Sequence, residues 1–334
     1  MTHTRRDLLA SAAGAVAFGS LAGCLGGGND SDGDGGSAGV TAQSTFFVFG
    51  DVAAQVAGDT ATAELLVPLG QHGHGWEPGP RVRQDIRDAD VLFHGMDGFQ
   101  PWVGDIAGDL AADGADVTTV DVSADVDLLA AGASHDHGDG KKEEQTHEEG
   151  GDDHDDGAVD PHFWMDPTRV RTAVGTVREA LADVDTDDAD AYADNAEAFG
   201  ERLAALDERI ASTVEAGSKD VILVAGHDAF QYLGDRYGVR VESLTGVSPD
   251  DRPTPADIQR AQEIIDAHDL SYICADPLES QQAADQLVAE TDAEDSLPLT
   301  SIPGLKDEWD EDGWGYVDVM ENVNLPTLER ALGA

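Results

Sequence analysis

Residues 189–216 read ADAYADNAEAFGERLAALDERIASTVEA, and the apolar positions Tyr192, Ala196, Phe199, Leu203, Leu206, Ile210 and Val214 recur at steps of three and four. That spacing predicts one continuous helix, with no proline and only Gly200 inside it. At about 1.5 Å per residue it reaches roughly 40 Å, longer than most globular helices and long enough to run across two domains. An ordinary surface helix is the plainer reading of the same pattern. The sequence on either side bears on the choice.

Upstream, Thr45 to Asp51 reads as a first strand, 52–58 as a short helix, 63–69 as a second apolar run, 81–88 as a polar helix, and 89–94 and 117–122 as strands. Downstream, 221–225 is a strand ending at Gly226-His227, and 229–237 is a helix stopped by Gly238. Next come a strand at 239–244, a helix at 254–268 opened by Thr254-Pro255, and a strand at 270–275. Strands alternating with helices predict an α/β fold with ligand sites at the carboxyl ends of its strands. The expected architecture is two lobes, 45–188 and 217–334, each a parallel-type sheet flanked by helices. One long rigid linker helix, 189–216, joins them.

The chain has 334 residues, with 68 Asp plus Glu against 19 Lys plus Arg, a formal charge of −49. A nucleic-acid binder needs a basic surface, so that class is excluded. Hydrophobic residues at 40% suffice for a real core, which argues against disorder throughout. Only 4 of the 19 cations are lysines and the acids are spread along the chain, a pattern resembling proteins of extreme halophiles. In molar salt the Debye length falls to about 3 Å, which makes such self-repulsion tolerable.

The N-terminus carries an address. Arg5-Arg6 precedes a short run of Ala, Gly, Val, Phe and Leu that ends at Leu21-Ala22-Gly23-Cys24. A twin-arginine pair ahead of a short apolar stretch matches a Tat export signal. The 16 uncharged residues between Asp7 and Cys24 fall short of the ~20 that a spanning helix needs, against the alternative of a membrane-anchor helix. Leu-Ala-Gly-Cys resembles a lipobox, with Cys24 lipidated and 25–44 serving as a flexible tether. Cys274, in an apolar strand pattern, is then a small core residue with no disulfide partner in the chain. The expected location is extracytoplasmic, lipid-anchored to the cell membrane.

Seven of the eleven histidines fall into two groups. His135, His137, His147 and His154 lie in 134–157, a stretch with ten acidic residues and five glycines that cannot pack a core. A solvated halophilic loop is one reading; an auxiliary metal-capturing loop, weak because ring closure costs chain entropy, is the other. His74, His162 and His227 each read as lying at a turn between a strand and a helix. A lone histidine there is usually held by backbone hydrogen bonds, but together with the loop the three point to one metal site. Imidazole nitrogen suits zinc, whereas manganese would want more carboxylate oxygen. Copper(II) would outbind zinc at the same ligands.

At this point the motifs resemble those of the metal-binding solute-binding lipoproteins of zinc and manganese ABC importers, most of all the zinc branch. His74-Gly75-Trp76-Glu77-Pro78 is similar to the family's His-x-Tyr-Glu-Pro, and Asp160-Pro161-His162-Phe163-Trp164-Met165-Asp166-Pro167 to its Asp-Pro-His-x-Trp-x-Asp-Pro. Gly226-His227-Asp228-Ala229-Phe230 and Tyr232-Leu233 resemble its Ser-His-x-Ala-Phe-x-Tyr-Leu. The likeness runs over about 45–334. It implies a metal held in the cleft between two lobes by His74 and His162 from the first and His227 from the second. A carboxylate near a C-terminal Tyr-x-x-Met-type stretch is implied as fourth ligand. Here the register puts Gly315 at that place, so Asp312 is the nearest candidate, with Asp310, Glu311 or a water as alternatives. The implied function is capture of Zn2+ and its delivery to an ABC permease and its ATPase, by a monomer that is no enzyme. A manganese- or iron-binding member, a zinc-dependent hydrolase, and a cell-adhesion protein or passive buffer on the same scaffold are the competing readings. No His-Glu-x-x-His motif supports the hydrolase.

Overall fold

The computed structural model describes residues 39–70, 76–132 and 159–334. The first lobe builds β1 (Thr41–Ser44), α1 (Phe47–Ala57), β2 (Thr62–Leu65), α2 (Pro80–Arg87), β3 (Val91–His94), α3 (Pro101–Asp113) and β4 (Thr118–Asp121), followed by α4 (Pro167–Val184). Then comes α5 (Ala189–Ala216). The second lobe builds β5 (Val221–Val224), α6 (Gln231–Tyr237), β6 (Arg240–Ser243), α7 (Pro255–His268), β7 (Tyr272–Ala275), α8 (Gln282–Glu290) and β8 (Asp295–Pro298). The chain closes with α9 (Asp307–Glu311), α10 (Tyr316–Val319), a π-turn over Met320–Asn324, and α11 (Leu325–Leu332).

The two sheets share one plan. Their strand orders are β2-β1-β3-β4 and β6-β5-β7-β8, with every pairing parallel. In each, the chain steps outward from the first strand and then reverses. The crevice at that reversal, between β1 and β3 or between β5 and β7, is where open parallel sheets hold ligands.

The start of the first lobe corrects the sequence reading. Thr41–Ser44 is a strand with buried Ala42, Gln43 and Ser44, so the flexible tether expected over 25–44 does not extend into it. Thr45 to Asp51 is not the first strand: from Phe47 the chain is helical. An apolar run of this length fits either period. The adjacent pairs Val48-Phe49, Val52-Ala53 and Val56-Ala57 are all buried at steps of four, a stripe that a helix puts on one face and that a strand, whose neighbours point to opposite sides, could not.

Tyr192, Phe199, Gly200, Leu203, Leu206 and Ile210 form the buried face of α5, which packs on α1 and α4 of the first lobe and on α11 of the second. One apolar core cluster therefore spans both lobes, beside a smaller cluster within each. It runs from Phe46, Phe49 and Trp164 through Leu203 and Leu206 to Val224, Tyr232 and Tyr316, and residues 39–334 form one compact unit. Hydrogen bonds also cross between the lobes: Trp164 Nε1 donates to Ser301 O (2.7 Å), Tyr316 OH to Trp164 O (2.6 Å), and Tyr232 OH to Asp160 O (2.6 Å). Cys274 is a free thiol buried in β7, and burial pushes its pKa up to about 12, so it is inert core. No helix among the described residues is long and apolar enough to cross a membrane.

Candidate metal centre

His162 stands in a segment where nearly every residue has a local task. Asp160, fully buried, accepts from the His162 backbone N–H through Oδ1 (3.0 Å) and holds the imidazole Nδ1 at 2.8 Å with the same oxygen. Phe163, Trp164 and Met165 form a short 3-10 turn, all buried. Trp164 lies in a ring cluster with Phe46, Phe49 and Phe99 at centroid distances of 4.8 to 6.0 Å. Asp166 then caps α4, accepting from Thr168 N at 2.8 Å, and Pro167 takes the first helical position, where its missing N–H costs nothing. The ring of His162 is thereby fixed in a site that is 1% exposed. Burial lowers its pKa below the ordinary imidazole value, against the pull of Asp160, and so favours the neutral form that can bind a metal.

His227 arrives from the other lobe, three residues beyond the end of β5, and is also buried. Its Nδ1 lies 2.9 Å from Glu279 Oε1, on the turn that follows β7. Asp228 is close enough for its charge to act on both imidazoles. Burial raises its pKa, and Gln231 Nε2 donates to it at 2.6 Å. A cavity of about 730 Å³ opens beside His227, lined also by Glu279, Thr245, Asp250, Asp251 and Arg252.

The rings of His162 and His227 lie 5.2 Å apart, centre to centre, at 49°. A ring centre sits about 3.2 Å from a zinc ion bound through one of its nitrogens, so two imidazoles on a tetrahedral ion should have centres about 5 Å apart. The pair therefore has the spacing of two ligands to one ion. In each ring a carboxylate lies beside Nδ1, so Nε2 is the nitrogen suited to a metal. The set is chemically suited to a divalent cation: imidazole nitrogens for ligation, and nearby carboxylates to offset its charge.

Not every residue singled out from the sequence joins them. Asp312 does not. In α9 the side chain that turns inward is Trp309, stacked on Trp314 at 5.9 Å, and this leaves Asp310, Glu311 and Asp312 exposed. At Gly315 the space a side chain would take is filled by a carboxylate from α1. A Cβ there would lie 2.5 Å from Asp51 Oδ1, and Asp51 Oδ2 accepts from Tyr316 N at 2.9 Å. Among the described residues no three His, Cys, Asp or Glu converge as a metal-binding group. His74, the loop histidines His135, His137, His147 and His154, and the lipidation candidate Cys24 lie outside the described residues. Asp160 and Glu279 escaped the sequence reading. Asp160 stands two residues before His162 and could have been found there; Glu279 is 52 residues from its partner and carries no local sign.

Repeated parallel α/β lobes around a shared core, with polar loops meeting between them, define a class, the two-lobed solute-binding proteins. The chain belongs to the ZnuA family, zinc-uptake complex component A, periplasmic, which matches residues 43–331. It is 27% identical over 288 residues to the high-affinity zinc uptake system protein ZnuA of Bacillus subtilis strain 168, covering 86% of each chain. It is 31% identical over 291 residues to the zinc-binding lipoprotein AdcA of Streptococcus pneumoniae serotype 4, covering 86% of this chain and 54% of AdcA, so it spans about half of that relative. The crystal structure of the Zn(II)-bound ZnuA-like domain of Streptococcus pneumoniae AdcA superposes with a TM-score of 0.72 at 27% identity, covering 89% of this chain and all of that one. The laminin-binding adhesin Lmb of Streptococcus agalactiae, at 20% identity and a TM-score of 0.74, shares the fold.

Proposed function

We propose that the protein captures Zn2+ outside the cytoplasm and hands it to an ABC permease driven by its ATPase. The observation that carries this is the buried pair His162 and His227, one from each lobe, at the separation two imidazoles adopt on one tetrahedral ion. His74, from the motif His74-Gly75-Trp76-Glu77-Pro78, is the third ligand in this reading. Two relatives named for zinc uptake or zinc binding support zinc as the cargo. The histidines of 134–157 serve as a weak auxiliary capture loop, and the chain works as a monomer. Export runs through the twin-arginine signal, and Cys24 carries the lipid that tethers the protein to the membrane, as befits a halophile-type lipoprotein.

Equilibrium dialysis tests the assignment. One tight zinc per chain is expected. Changing His74, His162 or His227 to Ala should weaken it far more than removing the four loop histidines together. The reverse order would refute the site, and manganese bound as tightly as zinc would move the cargo to that metal.

A further inference from the structure

We propose that Glu279 is the positioning carboxylate of His227: it holds the imidazole Nδ1 and so orients Nε2 toward the ion. This rests on the reading of His162 and His227 as zinc ligands. Strands β5 and β7 are neighbours at the point where the order of the second sheet reverses, so the loops leaving their carboxyl ends meet over one crevice. His227 is on the first of these loops and Glu279 on the second, and Glu279 Oε1 comes to 2.9 Å from His227 Nδ1. The side chains are 5% and 19% exposed, so the contact is largely shielded from water. Gly226 permits the approach, because a Cβ there would stand 3.2 Å from Glu279 Oε2.

The turn bearing Glu279 is itself anchored. Buried Asp276 accepts from Leu278 N at 2.9 Å, from Thr300 Oγ1 at 2.9 Å and from Ser301 N at 2.8 Å, while Glu279 N donates to Asp276 O at 3.0 Å. Gln281 Nε2 ties the same turn down from the other side, donating to Asp276 O and Glu279 O. An arm fixed this way sets the direction of the imidazole instead of following it. The first lobe also sets a carboxylate beside its histidine, there as a hydrogen bond between Asp160 Oδ1 and His162 Nδ1 at 2.8 Å. Each lobe thus supplies a histidine with its own carboxylate behind it. Such pairs fix the tautomer and raise the basicity of the ligating nitrogen. Direct ligation by Glu279 is disfavoured because its oxygen lies at the ring edge away from Nε2.

The test uses the mature full-length protein in high salt, with zinc affinity measured by competition against a chromophoric chelator and the ligand set read from the visible spectrum of the Co2+ form. Glu279→Ala should weaken zinc by about 10- to 100-fold with the cobalt bands unchanged, since the ligands stay the same. Glu279→Gln, whose amide oxygen can still accept from Nδ1–H, should recover most of that loss. Thermal melts of the metal-free variants control for folding. Wild-type affinity in Glu279→Ala overturns the proposal. A cobalt spectrum altered by that change also overturns it, by making Glu279 a ligand. A wild-type chain that binds no zinc at all would instead bring down the site reading beneath it.

Discussion

Tyr232→Phe removes one oxygen atom and with it a joint between the lobes. The hydroxyl donates to Asp160 O at 2.6 Å and accepts from Leu129 N at 2.9 Å. Burial pushes the phenol above its ordinary pKa, so it keeps the proton it donates. A net hydrogen bond contributes about 1 kcal/mol, and a buried group left without its partner costs about 1–3 kcal/mol. Asp160 is fully buried, whereas the Leu129 amide is only partly so and can recover a water. The expected loss is about 2–3 kcal/mol, with packing kept by the phenyl ring. At roughly 2–4 °C per kcal/mol for a chain of this size, the melting temperature should fall by about 5–10 °C. Calorimetry of the metal-free protein in high salt measures it. Because Asp160 also holds His162, zinc affinity should fall as well. A melting point within a degree of wild type would refute the claim that this hydroxyl fastens the segment 160–166 to the second lobe.

Acidification should weaken zinc binding steeply below about pH 6.5, as protons compete for the ligating nitrogens, and dialysis at pH 7.5 and 5.5 would show it. His162 has a lowered pKa in the folded state, so the stability it contributes is full above about pH 6.5 and is lost as pH falls below that value; histidine NMR titration should find its midpoint below the ordinary value. Gly315→Ala drives a methyl against Asp51 and should cost about 1–3 kcal/mol in thermal unfolding, with Asp51→Ser in the same chain relieving it; a neutral single change would contradict the close approach. In the native host, Cys24→Ser should release the protein to the medium and Arg5-Arg6 to Lys-Lys should block its export, both read by immunoblot of cell and medium fractions. Export that survives the lysine pair would point to the Sec route.

The fold was legible wherever burial imposed a period on the chain. In α5 the steps from Tyr192 to Val214 could be nothing but helical, and 221–224 is apolar enough to mark a strand buried on both faces. At Thr45 to Asp51 the residues satisfy both periods, and the tertiary packing of α1 decided. Strand β8 hid because Asp295, Ser296 and Pro298 surround a single inward Leu297. His162 and His227 could be picked out as motif residues, but their 5.2 Å approach depends on how two lobes meet. Asp312 misled because the three acids after Trp309 look alike in sequence, and the stacking of Trp309 on Trp314 turns them all to water. Glu279 was invisible, since only the adjacency of β5 and β7 brings it to His227.

The core that runs unbroken from Phe46 to Tyr316 also sets the language in which the protein can announce its cargo. Swinging the lobes apart would expose apolar surface at about 25 cal/mol per Å², so each hundred square ångströms opened costs about 2.5 kcal/mol. Wide gaping is therefore an expensive signal. Charge is a cheap one: a dication entering among Asp160, Asp228 and Glu279 offsets most of their negative charge without shifting a helix. A transporter facing a chain of net charge −49 would then distinguish the loaded protein from the empty one chiefly by potential at the mouth of the cleft, and only secondarily by outline.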